Sequence, residues 1–138
     1  MELEALAHQY GTAPARVAGF RLHDDGMLDL LPTLNWLADG VDPALGAAVF
    51  HVTLAEAFGV WLEWAGKRAG LRRVALGGGC FLNRRLTGLV QTRLAAMGWQ
   101  VLTARLAPPN DGGLSLGQAW VAAQCDDPYA SNRSGCSP

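Results

Sequence analysis

Arg72-Arg73-Val74-Ala75-Leu76-Gly77-Gly78-Gly79-Cys80-Phe81-Leu82-Asn83 is the stretch that decides the fold. It opens as a short strand around Val74-Ala75-Leu76 and turns on three consecutive glycines. Helical spacing then takes over: from Phe81 to Met97, the residues Leu86, Leu89, Val90, Leu94 and Met97 fall on one face. Gly98 stops that helix, and Trp99 to Thr103 reads as a second strand. Strand, loop, helix and strand make one β-loop-α-β unit, which predicts parallel strands joined by a right-handed crossover. The fold class is therefore α/β.

Outward from this unit the pattern is mostly helical. Asp42-Pro43 opens the longest helix, running to about Arg68, with Asp42 as N-cap and Pro43 at the first helical position. Phe50, Leu54, Ala57, Phe58, Trp61, Leu62 and Ala65 give its apolar spacing, and Glu56, Glu63 and Lys67 its polar face. Before it, residues 2–9 form a short helix, Val17–Leu22 and Met27–Leu31 flank Asp24-Asp25-Gly26 as a hairpin, and Pro32–Ala38 is a short helix. After the second strand, Pro108-Pro109-Asn110-Asp111-Gly112-Gly113 leads into a closing helix, Leu114–Gln124. From Asp126 onward the composition turns to Asp, Pro, Ser, Asn and Gly, which predicts a disordered tail over 126–138.

The chain has 138 residues, half of them apolar, so it can bury the core of one domain. Its net charge of -1 argues against a dedicated nucleic-acid binder, whose phosphate contacts need a basic surplus. The first ten residues do not read as a signal peptide, and no stretch is expected to approach the length of a membrane span. Cys80, Cys125 and Cys136 share no C-x-x-C spacing. They form neither a disulfide framework nor a zinc knuckle, and a reducing, cytoplasmic setting is the simpler expectation.

Two loops carry the candidate chemistry. Gly77-Gly78-Gly79 lets a phosphate or ribose approach the backbone without a Cβ clash, and the following helix is expected to offer N–H groups and the positive end of its dipole. Asn83, placed in the first turn of that helix, brings an amide within reach of a nucleotide. No Gly-Lys-Ser/Thr follows, so this is not a P-loop. The same glycines would also serve a tight strand-to-helix turn. In the second loop Asp111 stands before two glycines, which suits a metal ligand near phosphate oxygens, while Asn110 or Asp111 would equally serve as a helix N-cap. The residues alone leave both pairs of readings open. Both loops follow the carboxyl ends of neighbouring parallel strands, so both should open on one crevice.

The remaining polar residues carry less. His8, His23 and His51 share no ligand spacing and read as surface or internally satisfied histidines. Arg84, Arg85 and Arg93 read first as a solvated helix face, and Cys80 as a small buried filler.

At these two loops the sequence resembles the C-terminal part of the HypF family, the carbamoyltransferases of nickel–iron hydrogenase maturation. The matching stretches are Met1–Ala7, Phe50-His51 with Leu54, Val74–Asn83 and Pro108–Gln118. The run Pro-Pro-Asn-Asp-Gly-Gly followed by Leu-Ser-Leu-Gly-Gln is the most specific. The resemblance departs from the family at Gly77, Cys80 and Leu82, where Ser, Val and Gln are usual.

The resemblance implies that residues 1–125 are the C-terminal part of a carbamoyltransferase domain with the two-lobed fold of actin, sugar kinases and Hsp70, here incomplete. It implies ATP-dependent activation of carbamoyl phosphate to a carbamoyl adenylate, and transfer of the carbamoyl group to the C-terminal cysteine of a HypE-type acceptor protein. Gly78, Gly79, Asn83 and Gly112 would face the adenylate. Asp111 would be one ligand of a divalent metal, iron or zinc, whose other ligands include an H-x-x-x-H pair absent from this sequence. Neither nucleic acid nor membrane is implied as partner. In the family the Met1–Ala7 stretch lies inside the domain, so the chain is expected to be a truncated form, inactive alone. A threonylcarbamoyl transferase of the TsaD type, an antibiotic O-carbamoyltransferase and a non-catalytic binding fragment are the alternatives.

Overall fold

The computed structural model describes residues 2–125, with the side chain of Cys125 left aside. The expected tail over 126–138 lies outside them, as do Met1 and Cys136. In chain order the elements are α1 (Glu2–Tyr10), β1 (Arg21–Leu22), β2 (Leu28–Asp29), α2 (Leu31–Ala38), α3 (Pro43–Ala69), β3 (Arg73–Leu76), α4 (Arg84–Ala96), β4 (Gln100–Thr103) and α5 (Leu114–Cys125). Short 3-10 turns cover Gly79–Leu82 and Asp111–Gly113.

The deciding unit forms as its pattern dictates. β3 and β4 pair in parallel, with Arg73 opposite Gln100, Val74 opposite Val101, Ala75 opposite Leu102 and Leu76 opposite Thr103. Alternation turns Val74, Leu76, Val101 and Thr103 inward and leaves Arg73, Ala75, Gln100 and Leu102 exposed. Of these, Val74, Leu76 and Val101 meet Leu86, Val90 and Leu94 of α4 and Ala55 of α3 in the main core, which Trp99 closes. α4 begins three residues later than its spacing suggested. Phe81 and Leu82 belong to the 3-10 turn, and Asn83 is the N-cap, with extended backbone and its side chain accepting from Leu86 N at 2.9 Å.

α3 is the axis of the molecule. Asp42 caps it by accepting from Leu45 N at 2.9 Å, and Gly70 ends it in the left-handed conformation at φ 67°. Its burial differs from the expected single stripe. Gly46, Ala47, Ala48, Val49, Ala55, Ala57, Gly59 and Gly66 are buried, together with His51 and Thr53, whereas Phe50, Leu54 and Phe58 are only half-buried. The cause is that α3 is approached closely by α1, α4 and Trp99, so small residues face its neighbours. Ala47 and Ala48 meet Ala7 of α1, and a Cβ on Gly66 would lie 2.4 Å from Trp99 Cη2. The expectation that no stretch approaches a membrane span is corrected here. α3, with 27 residues, is long and apolar enough to cross a membrane by length and composition. Half of its most apolar stretch is buried inside the protein, which is the property of a core helix.

The hairpin is shorter than Val17–Leu22 and Met27–Leu31. Only Arg21–Asp29 and Leu22–Leu28 pair. Residues 16–19 are drawn off the ladder by side chains: Arg16 N donates to Thr53 Oγ1 at 2.9 Å, and the buried Thr33 hydroxyl donates to Gly19 O at 2.5 Å. The turn is docked on α3, with Trp61 Nε1 donating to Gly26 O at 2.9 Å. The far end of α3 is clamped to the residue just before β3 by a bidentate pair, Arg72 to Glu63 at 2.5 and 3.1 Å.

Candidate active-site loops

The two loops meet. The N–H of Gly78 donates to the carbonyl oxygen of Pro109 at 2.5 Å, which joins the turn after β3 to the segment after β4. Parallel pairing puts both carboxyl ends on the same edge of the sheet, and this bond holds the loops together there.

Within the first loop, Gly78 sits at φ 99° and ψ 163°, a region essentially closed to L side chains. A Cβ on Gly77, Gly78 or Gly79 would meet nothing within 4 Å, and all three glycines are exposed. Tight strand-to-helix packing therefore does not account for the run. Gly78 is required by conformation, and Gly77 and Gly79 leave the backbone bare. Cys80, expected as a buried filler, is exposed and unpaired; its place in the outer turn explains the difference.

The start of α4 is more committed than its sequence suggested. Arg85 N donates to Glu4 Oε1 at 3.1 Å, Leu86 N to Asn83 Oδ1 at 2.9 Å and Thr87 N to Asn83 O at 3.0 Å. Arg85 N–H and Leu86 N–H, first-turn groups of the kind expected to be open to an anion, are thus satisfied internally, and Thr87 N–H makes the first bond within the helix. The Arg85 guanidinium donates to Gly11 O, and Arg93 Nε lies 2.9 Å from Glu56 Oε2. Arg85 and Arg93 are thus tied to neighbouring elements rather than forming a solvated face, and Arg84 alone of the three is exposed.

His8 and His23 are exposed, and His51 is satisfied internally, as expected of them. What the sequence did not disclose is the partner. His51, 2% exposed on α3, places Nδ1 2.7 Å from Ala47 O and Nε2 2.8 Å from Asn83 Nδ2. A buried histidine on the long helix thereby reaches the candidate site residue of the glycine loop.

In the second loop the cap is Asn110, whose side chain accepts from Gly112 N at 3.2 Å. Asp111 is exposed, and its carboxylate does not cap the turn. Gly112 has a structural reason to be glycine: a Cβ there would lie 2.8 Å from Pro108 Cγ. One on Gly113 would lie 2.8 Å from Pro108 O. Among the described residues no group of three His, Cys, Asp or Glu side chains could hold a metal ion. α5 follows directly and presents Leu114, Leu116, Trp120 and Val121 to solvent, Trp120 at 68% exposure.

Comparison with known proteins accords with this arrangement. Residues 1–118 match the family described as carbamoyltransferase, Kae1-like domain, second subdomain. A carbamoyltransferase HypF homologue of Cupriavidus necator is 49% identical over 131 residues, covering 88% of this chain and 33% of the relative. The carbamoyltransferase HypF of Rhizobium leguminosarum is 41% identical over 126 residues, covering 90% and 16%. A full-length HypF solved in its phosphate- and nucleotide-bound form superposes with a TM-score of 0.73 at 27% identity, covering 94% of this chain and 17% of that one. The chain thus spans a sixth to a third of the length of these relatives. Its parallel β-loop-α-β unit, its paired loops and its matched residues place it in the HypF carbamoyltransferase family, over the stretch that forms the second subdomain of the Kae1-like domain.

Proposed function

We propose that this chain supplies one wall of a carbamoyl-transfer site, with the glycine loop against a nucleotide and the Asp111 loop beside its phosphate. The observation that carries the reading is the hydrogen bond from Gly78 N to Pro109 O, because it makes one rim of two loops that resemble the family's site loops. The nucleotide suits the first loop: Gly78 and Gly79 leave their backbone open, and Asn83 stands at its end. Gly112 shapes the second loop around Pro108 and is a supporting residue rather than a direct contact. A divalent metal does not fit this chain by itself, since one exposed carboxylate at Asp111 is too few ligands. Asp111 suits the role of a single ligand added to others outside the chain.

In this reading water releases carbamate and orthophosphate from carbamoyl phosphate, and a carbamate oxygen attacks the α-phosphorus of ATP, breaking its bond to the β-phosphate, so that a carbamoyl adenylate forms and pyrophosphate leaves. The thiol of a HypE-type C-terminal cysteine, as its thiolate, attacks the carbamoyl carbon. A C–S bond forms, the C–O bond to the phosphate of AMP breaks, and AMP leaves. The chain's own part is to bind and orient the adenylate. Two exposed surfaces suit a larger enzyme around it: the outer face of β3 and β4, with Leu102, and the apolar side chains of α5. Parallel sheets are ordinarily covered on both faces.

The acceptor decides the reading. The remaining part of a HypF relative, mixed with this chain, ATP and labelled carbamoyl phosphate, is offered a HypE-type protein and tRNA together. Label on the protein thiol is expected, in keeping with the net charge of -1. Label on tRNA alone would reverse the assignment.

A further inference from the structure

We infer that His51 is a positioning residue that fixes the side-chain amide of Asn83 so that the second hydrogen of its Nδ2 is offered to the site as a hydrogen-bond donor. The inference deepens the reading above, on which its meaning for a ligand rests. The geometry itself stands without a ligand.

The donor and acceptor roles follow from the chain of contacts. Leu86 N is a donor, so the Asn83 atom 2.9 Å from it must be the carbonyl oxygen Oδ1. The amide nitrogen Nδ2 is therefore the atom that lies 2.8 Å from His51 Nε2. A backbone carbonyl only accepts, so the His51 nitrogen 2.7 Å from Ala47 O must carry a proton. That leaves Nε2 of neutral His51 as the acceptor for Asn83 Nδ2. Every member of the series is satisfied in a single sense: His51 Nδ1–H to Ala47 O, Asn83 Nδ2–H to His51 Nε2, and Leu86 N–H to Asn83 Oδ1. Flipping the amide would set two acceptors against each other at His51 and two donors at Leu86, breaking both bonds.

One hydrogen on Asn83 Nδ2 remains outside the series. It is the donor that Asn83 has left for the space beside the glycine loop. An acceptor atom of a ligand, such as a ribose or phosphate oxygen or a ring nitrogen, meets it; a donor does not. His51 never touches the ligand and acts through Asn83. The burial of His51 keeps water from competing for Nε2.

The test is nitrogen-15 NMR on the chain without ligand. His51 is expected in the Nδ1–H tautomer, with a coupling across the hydrogen bond between Asn83 Nδ2 and His51 Nε2. His51→Gln retains an acceptor near the position of Nε2 and is expected to keep the downfield, exchange-protected Asn83 amide proton. His51→Leu is expected to lose it, with the remaining spectrum marking a folded chain. Asn83→Asp retains the cap oxygen but puts an acceptor opposite Nε2, and is expected to add a proton at His51 Nε2 while the Nδ1–H stays on Ala47 O. A wild-type Nε2–H tautomer, or an Asn83 amide unchanged in folded His51→Leu, would overturn the inference. A separate AMP titration of the completed enzyme distinguishes the two readings: no response at Gly78 and Asn83 removes the nucleotide reading, whereas the ligand-free hydrogen bond is judged by the spectra alone.

Discussion

Gly78 gives its backbone N–H to the carbonyl oxygen of Pro109, 2.5 Å away, and does so at φ 99°, where only glycine is at ease. The bond therefore depends on a conformation that one residue type supplies. Any side chain at position 78 strains the loop that holds the Asp111 segment in place.

Gly78→Ala should accordingly cost about 1–3 kcal/mol of stability, even though its Cβ would enter open space. Gly77→Ala, which also meets nothing within 4 Å, should stay within about 0.5 kcal/mol. Urea unfolding of the two variants measures the difference. Equal midpoints would mean that the loop does not hold this conformation.

Gly66 and Gly88 form a second contrast, both inside helices. Alanine at Gly88 meets nothing and should stabilise α4 by about 0.5–1 kcal/mol through helix propensity. Alanine at Gly66 would press on Trp99 Cη2 at 2.4 Å and on Leu71 O at 2.8 Å. The backbone oxygen has no rotamer to escape by, so overpacking of about 1–3 kcal/mol outweighs the propensity gain. Thermal melts of both variants should shift in opposite directions, with a change in Trp99 fluorescence for Gly66→Ala only.

Much of this framework was legible in one dimension. Val74–Leu76, three glycines, the spacing of Leu86, Val90 and Leu94, and Gly98 are local signals, and the parallel unit follows from them. Asp42 before Pro43 is equally local and caps α3 as read. What escaped was tertiary. The hydrogen bond between His51 and Asn83 spans two elements and leaves no spacing to read. Gly112 is glycine because of Pro108, and Asn110 rather than Asp111 is the cap, because backbone geometry decides which of two adjacent Asx side chains turns back. α3 buries its small residues because three neighbours approach closely, a fact of packing that hydrophobic periodicity alone does not carry.

The clamp between α3 and the residue just before β3 predicts a pH effect. The Arg72 guanidinium, hydrogen-bonded to Glu63, holds the Glu63 carboxyl below the usual carboxylate range. A carboxylate lowered in the folded state adds stability that is fully present above its unfolded-state pKa. That contribution is lost as the pH falls through the lower folded-state value. Wild type should therefore exceed Glu63→Gln by a constant margin at neutral pH, and the margin should close in acid. Urea midpoints measured from neutral to acidic pH check this; a margin that persists into strong acid argues against the clamp.

Asp111→Asn separates the two readings of the second loop. Since Asn110 is the cap, the substitution should leave the fold and its stability within about 0.5 kcal/mol of wild type. In the completed enzyme the neutral amide is a far poorer metal ligand, so transfer should fall to background. Wild-type turnover by the variant would remove Asp111 from the site.

The most direct measurement of the central claim is ATP-dependent transfer of the carbamoyl group from carbamoyl phosphate to the thiol of a HypE-type acceptor in three samples: this chain, the remainder of a HypF relative lacking the corresponding stretch, and the two mixed. The account predicts transfer in the mixture alone, reduced about fivefold or more by Gly78→Ala, the factor to which strain of about 1 kcal/mol borne by the working conformation corresponds. Transfer by either part alone, or a mixture of folded, associated parts that carbamoylates no acceptor, would contradict it.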